Sequence, residues 1–191
     1  SIHDFSPRNL LKFSFHFYSL PFMQFGETMI LKQCCDALEK NLLTIAFIES
    51  ASSGYLASQF SIYKNSGADI LLGGLVSYDP SIKISILHIM PSFIDAYTAE
   101  SAEVTQAMAE HGKNLFTQAD FIVACTGLLK PGGSATAEKP EGTFYISILF
   151  KNQFYNFKYF LDGSPIERLD QLTALTAKEV LHLVGTANTL A

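Results

Sequence analysis

Residues Leu43–Gly54 read LTIAFIESASSG, and their reading decides the fold. Leu43, Ile45, Ala46, Phe47 and Ile48 form a short apolar run rich in β-branched side chains, which stops at Glu49. A small polar cluster comes next, Ser50, Ser52, Ser53 and Gly54, and then a helix-compatible stretch, Tyr55-Leu56-Ala57-Ser58-Gln59-Phe60. This pattern predicts a buried strand, a tight turn and a helix start. In α/β proteins such a turn lies at the carboxyl edge of the sheet, where ligands bind. The first N–H groups of the helix are unpaired there and favour anions. A serine placed first in the turn is a candidate nucleophile, with neighbouring amides as candidate oxyanion donors. On the residues alone, Ser50 reads more readily as a helix cap than as a nucleophile.

Working outward, Thr28–Lys40 predicts a helix, with Ile30, Leu31, Cys34, Cys35 and Leu38 on one stripe. Ile70–Tyr78 predicts a second strand containing Gly73-Gly74, a pair that marks a bulge or a close backbone approach. Asp79-Pro80 opens a short helix over Ser81–Leu87 that carries Lys83, and Met90-Pro91 breaks the chain. Ser101 caps a helix running to Leu115, and Phe121–Cys125 predicts a third strand ending at Thr126-Gly127. Leu128–Pro140 is a long loop rich in Gly, Ser, Thr and Ala, a kind usually functional or mobile. Thr143–Phe150 and Phe154–Leu161 alternate around Lys151-Asn152-Gln153 as a hairpin. Ser164 and Pro165 start a final helix. Alternating helices and strands with a hairpin after them predict a three-layer α/β/α sandwich with a mixed sheet.

Residues 1–22 stand apart as an aromatic N-terminal extension to a single domain over 23–191. Phe13, Phe15 and Phe17 alternate with Ser14 and His16, the period of a strand. His16 and Ser14 interrupt any signal-peptide core, and no small-x-small cleavage site comes after them. Two readings stay open: a natural start at Met23, or an edge strand or arm packed on a partner subunit.

Composition narrows the function class. The 191 residues carry a net charge of −5 and no cluster of Lys and Arg, which argues against a nucleic-acid partner. No apolar run reaches the roughly eighteen residues that a membrane span needs. Three cysteines form no disulfide frame, and five histidines lack ligand spacing. The expectation is therefore a cytoplasmic protein with no metal, no cofactor and no membrane or nucleic-acid partner. With sixteen Phe and eight Tyr, self-association into a homo-oligomer is expected.

Four blocks carry a family resemblance from about Met29 to Val184. They are Glu49-Ser50 with Gly54; Gly73-Gly74-Leu75-Val76-Ser77-Tyr78 with Lys83; the helix Ser101–Glu110; and Thr126-Gly127, Pro131-Gly132-Gly133, Glu138-Lys139-Pro140 and Gly142-Thr143. Together they resemble the CinA C-terminal domain family, which includes nicotinamide mononucleotide (NMN) deamidases. The resemblance implies an amidohydrolase with a small-molecule nucleotide substrate. It implies Ser50 as nucleophile, and Lys83 assisted by Tyr78 as base. No His lies in any block, which disfavours a Ser-His-Asp triad. Glu49, Ser52, Thr126, Gly132, Gly133 and Arg168 are the implied substrate contacts, the glycine pair as an amide nest for phosphate. Departures gather at the same place. The family's Cys-Thr-Gly after the serine is Ala51-Ser52-Ser53, its Ile-Ala-Gly before Pro131 is Leu128-Leu129-Lys130, and Gly163-Ser164-Pro165 stands where an arginine is usual. These departures keep a second implication in view, a non-catalytic relative that retains the fold and binds a nucleotide-like ligand or acts as an oligomerising module.

Overall fold

The computed structural model describes residues 13–15 and 24–189, with side chains over 26–187. Among the described residues six strands form one mixed sheet. In chain order they are β1 (Phe13–Phe15), β2 (Ile45–Glu49), β3 (Leu71–Val76), β4 (Phe121–Gly127), β5 (Thr143–Phe150) and β6 (Gln153–Phe160), arranged β1-β6-β5-β4-β2-β3. The helices are α1 (Gln24–Lys40), α2 (Tyr55–Tyr63), α3 (Pro80–Ser85), α4 (Pro91–Tyr97), α5 (Ala102–Leu115) and α6 (Pro165–Thr189). The chain is the expected three-layer α/β/α sandwich.

Burial explains the layers. All five residues of β2 and all seven of β4 are buried, as central strands covered on both faces must be. Phe47, Phe121, Phe144, Ile146 and Ile148 pack into one core with Leu31, Leu38, Phe60 and Val180 from α1, α2 and α6. On the opposite face Ala46, Ile48, Ile122 and Ala124 pack against Val104, Met108 and Ala109 of α5. Cys34 and Cys35 are buried on the α1 stripe, as small hydrophobes are.

Parallel pairing joins β2 to both β3 and β4, whereas β4-β5 and β5-β6 are antiparallel. The chain leaves β2 through α2 on one face and returns to β4 through α5 on the other. The space between the carboxyl ends of β2 and β4 is therefore a topological switch point, the place where open α/β sheets hold ligands. Ser50 donates its backbone N–H to Cys125 O across that gap at 2.9 Å.

Three local expectations change. Helix α1 begins at Gln24, a turn before Thr28. Helix α3 ends at Ser85 instead of Leu87. After Met90-Pro91 the chain forms α4, because a proline at the first helical position interrupts the preceding segment and preorganises the next turn as helix. The β5-β6 hairpin turns at Lys151 and Asn152, both left-handed (φ 49° and 59°), the twist that suits a two-residue connection. Phe13–Phe15 of the expected N-terminal strand pairs in parallel with β6, Phe13 opposite Asn156. Phe17, Met23 and the rest of the expected extension lie outside the described residues.

Candidate functional site

Ser50 comes directly after the last residue of β2, held by its N–H to Cys125 O and by its own carbonyl, which accepts from Ser53 N at 3.0 Å. Sequence left it open whether Ser50 caps the next helix. Glu49 does that instead. Its carboxylate is 1% exposed and accepts from Gly54 N (3.0 Å), Leu56 N (3.1 Å) and Ala57 N (2.8 Å). The amides that would have bound an anion at the α2 terminus are thus already satisfied by a side chain. Glu49 is scaffold, not the substrate contact expected of it, and the Ser50 hydroxyl is released from capping.

Lys83 occupies that hydroxyl. Asp79 caps α3 by accepting from Ser81 N at 2.8 Å, and Pro80 fills the first turn. The six-residue helix then points Lys83 inward, 1% exposed. Its Nζ lies 2.9 Å from Ser50 Oγ and 2.5 Å from Ser77 O. Burial lowers the lysine pKa from its ordinary 10.5, against the opposing pull of Glu100, Asp79 and Cys125. Nζ donates to both Ser77 O and Ser50 Oγ, and a lysine whose charge burial disfavours, set against a serine hydroxyl, has the arrangement of a general base and its nucleophile.

Tyr78 does not join them. It sits beyond the end of β3, 59% exposed, with no hydrogen bond to Ser50 or Lys83. Strand alternation explains this: Ser77 turns inward, so its neighbour turns out. The expectation that the phenol assists the base is corrected to a side chain at the surface near the pair.

Around the serine, the Ala51 backbone N–H meets no acceptor among the described residues, and the Ser52 N–H faces only the Cys125 sulfur, a weak acceptor. Both residues are nine-tenths buried. Two such amides directly after a nucleophile are candidate oxyanion donors. The Ser52 hydroxyl is buried beside Cys125 without a hydrogen bond of good geometry, so an incoming polar group can take it. Burial pushes the Cys125 thiol up to about 12, which keeps it neutral.

Thr126 is fully buried at the end of β4, with Oγ1 2.7 Å from Thr105 Oγ1. Thr105 gives its single hydrogen to Ser101 O at 2.6 Å, so Thr126 must be the donor in that pair. Its hydroxyl is committed to α5, a correction to its expected contact with substrate. Thr105 was missed in the sequence; a threonine four residues after the Ser101 cap, on the buried side of α5, was the available signal.

Arg168 is likewise committed. Its guanidinium donates to Leu161 O (3.2 Å) and Leu129 O (2.8 Å) and pairs with Glu141. It clamps the base of the Leu128–Pro140 loop to α6 and is 8% exposed, so the expected substrate contact is corrected to a structural clamp. Gly132 and Gly133, both with positive φ, lie in the loop after β4, and Lys130 is exposed. The structure therefore brings together Ser50, Lys83, Ser52 and the Ala51-Ser52 amides, with Glu49 and Thr126 supporting from beneath.

A cavity of about 890 Å³ lies elsewhere, between α1, α2 and α6, lined among others by Glu27, Tyr55, Tyr63 and Asp170. Size favours it, and Tyr55 Oη there donates to Asp170 Oδ1 at 2.5 Å, but the buried Ser50–Lys83 pair sits at the switch point, where open α/β sheets hold ligands. Among the described residues no cluster of His, Cys, Asp or Glu is arranged to hold a metal ion, and no helix is long and apolar enough to cross a membrane.

Comparison with known proteins shows the family. Residues 27–184 match the CinA C-terminal domain. A competence-damage inducible protein of Thermoanaerobacter sp. strain X514 is 38% identical over 151 residues, covering 78% of this chain and 35% of that protein. A CinA-like protein of Desulfotalea psychrophila is 34% identical over 146 residues, covering 76% and 34%. The chain thus spans about a third of the length of the curated relatives it matches. Among solved structures, a competence or damage-inducible protein from Enterobacter asburiae superposes with a TM-score of 0.75 at 21% identity, covering 83% of this chain and 98% of that one. A CinA superfamily protein from Escherichia coli gives 0.75 at 22% identity, covering 86% and 95%. At those identities the structures speak for the fold alone. The match over most of the chain, joined to the curated relatives, identifies this protein as a member of the CinA C-terminal domain family.

Proposed function

We propose that the chain is a serine amidohydrolase that converts the carboxamide of NMN to the corresponding acid with release of ammonia. The single observation that carries this reading is the 2.9 Å contact between Lys83 Nζ and Ser50 Oγ, both nine-tenths buried. Neutral Lys83 takes the hydroxyl proton as Ser50 Oγ attacks the carboxamide carbon. The Ala51 and Ser52 amides receive the oxyanion. Collapse expels ammonia, which takes its proton from the Lys83 ammonium, and leaves an acyl ester on Ser50. Lys83 then activates a water, whose attack frees the carboxylate and restores the serine.

Ammonia release from NMN tests this directly. The wild type is expected to turn over, while Ser50→Ala and Lys83→Met each lose at least about 10³-fold, the scale of removing a nucleophile or its base. Equal background rates in all three proteins would eliminate the hydrolase. One specific observation favours the second reading, a non-catalytic relative that binds a nucleotide-like ligand: Arg168, the remaining cation in the region where the family carries an arginine, is spent on Leu129, Leu161 and Glu141. That reading expects NMN binding by calorimetry with no ammonia formed.

A further inference from the structure

The cavity of about 890 Å³ enclosed by α1, α2 and α6 is lined by neither Ser50 nor Lys83. Its volume falls in the range that small-molecule sites occupy. Leu31 and Ala174 give it an apolar wall, and the polar part of the lining is biased in one direction. Tyr55 Oη donates its hydrogen to Asp170 Oδ1 at 2.5 Å. Thr173 Oγ1 donates its hydrogen to Leu169 O at 2.8 Å. Each hydroxyl has thus spent its one hydrogen and keeps only lone pairs. Glu27 from α1 and Asp170 from α6 add two carboxylates to the same lining, and an ionised carboxylate accepts without donating. Three helices therefore turn hydrogen-bond acceptors towards one space.

The charge of that space is also one-sided. Among the described residues no cation is bound to Glu27 or Asp170. Arg168 pairs with Glu141, and Lys32, which lines the cavity, is held by Asp36 and by Asn65 Oδ1 at 2.9 Å. Burial, and after it the charge of Asp170, raises the Glu27 carboxyl above its ordinary 4.5, as expected where like charges share a recess. Tyr55 and Tyr63 line the cavity too, and a tyrosine ring attracts a cation over its face. A divalent metal suits the lining poorly. Such ions take about six to eight oxygen ligands, whereas no group of three His, Cys, Asp or Glu among the described residues is arranged to hold one. The matching ligand is positive, rich in N–H and carries a carbon body.

We propose that this cavity is a binding site for a small organic ammonium ion, with its N–H groups directed to Glu27, Asp170 and the lone pairs of Tyr55 and Thr173, and its carbon body against Leu31 and the tyrosine rings. The site owes nothing to the Ser50–Lys83 pair and stands whether or not that pair hydrolyses an amide.

Calorimetric titration of the full chain with phenethylamine tests this, with phenethyl alcohol as the uncharged counterpart of the same shape. The amine is expected to bind at least about tenfold more tightly than the alcohol. Glu27→Gln and Asp170→Asn keep the shape of the lining and remove charge. Each is expected to weaken the amine by about three- to tenfold, and the double variant to lose detectable binding. Gln59→Glu adds a carboxylate to the lining and should tighten the amine by about two- to fivefold, a gain that a misfolded variant cannot imitate. Ser50→Ala should bind the amine as the wild type does, which separates this cavity from the proposed active site. Equal affinity for amine and alcohol, no binding of the amine by the wild type, or an affinity that survives the loss of both carboxylates would overturn the proposal. Displacement of the amine by an equal concentration of calcium chloride would also overturn it, because the lining would then prefer a metal. A chain that binds the amine in the expected pattern but releases no ammonia from NMN would keep this site and lose the hydrolase.

Discussion

Glu49 and Ser50 are adjacent, and the division of labour between them is the main lesson at the scale of single residues. A serine before a helix reads as its cap, but the neighbouring carboxylate reaches forward to three amides five to eight residues on. Charge-assisted bonds to N–H groups at a helix start combine hydrogen bonding with a favourable helix dipole. Glu49→Gln replaces one oxygen by an NH₂ group facing donors it cannot serve. The variant is expected to lose about 2–3 kcal/mol of stability by urea denaturation, with α2 its weakest element. Ser50→Ala should cost less, about 1 kcal/mol, since Ser50 Oγ caps nothing and loses only its bond to Lys83, whose Nζ keeps Ser77 O. If both variants unfold alike, the assignment of the cap to Glu49 is wrong. The nucleophile candidate was legible from the strand-turn-helix pattern. That Lys83 would be buried was not: a cation on a six-residue helix looks solvated until the inward direction of that helix is known.

At the scale of elements, the alternation of apolar runs and caps sufficed for α5, β4 and the hairpin, whose signals are local. Helix α4 was lost because Met90-Pro91 was read only as a stop. Side chains working at a distance were equally hidden. Arg168 lies 27 residues from its partner Glu141 in the chain, and no periodicity announces such a pairing. The packing of α5 on β2 is tighter than its pattern suggests. A Cβ added to Gly112 would come within 2.5 Å of Ile48 Cγ1 and 2.8 Å of Ile48 Cδ1, both deep in the core. Gly112→Ala must therefore push α5 away from the sheet. The expected cost is about 1–3 kcal/mol, read as a lowered thermal midpoint, and it should appear although alanine is the better helix former. Paired with Ile48→Val, which trims the clashing chain, the loss should shrink; a simple sum of the two single effects would show that the contact is not what limits the site.

For the whole molecule, alternating helices and strands gave the layers, whereas strand order could not be read, because hydrophobic pattern says which faces are buried and not which edges meet. The order matters because it sets the switch point and forces a lysine into the core beside it. Burying that amine has a cost, and the cost depends on pH. Lys83 titrates below its ordinary 10.5 in the folded chain and near 10.5 when unfolded. Between those midpoints the unfolded chain binds more protons, so this group makes stability rise with pH. Below the folded midpoint the penalty of a buried charge is fully present; above 10.5 it is gone. Cys35 and Cys125, pushed up to about 12 from 9.0, act with the opposite sign: they keep protons in the fold that the unfolded thiols lose, so their contribution falls as pH climbs from 9.0 towards 12. Comparing the wild type with Lys83→Met largely cancels the thiols. The difference in urea unfolding free energy should therefore move in favour of the wild type as pH rises through the window below 10.5. A difference that stays flat would mean that Lys83 keeps its proton equally in both states, and the site would then have no neutral amine to offer Ser50.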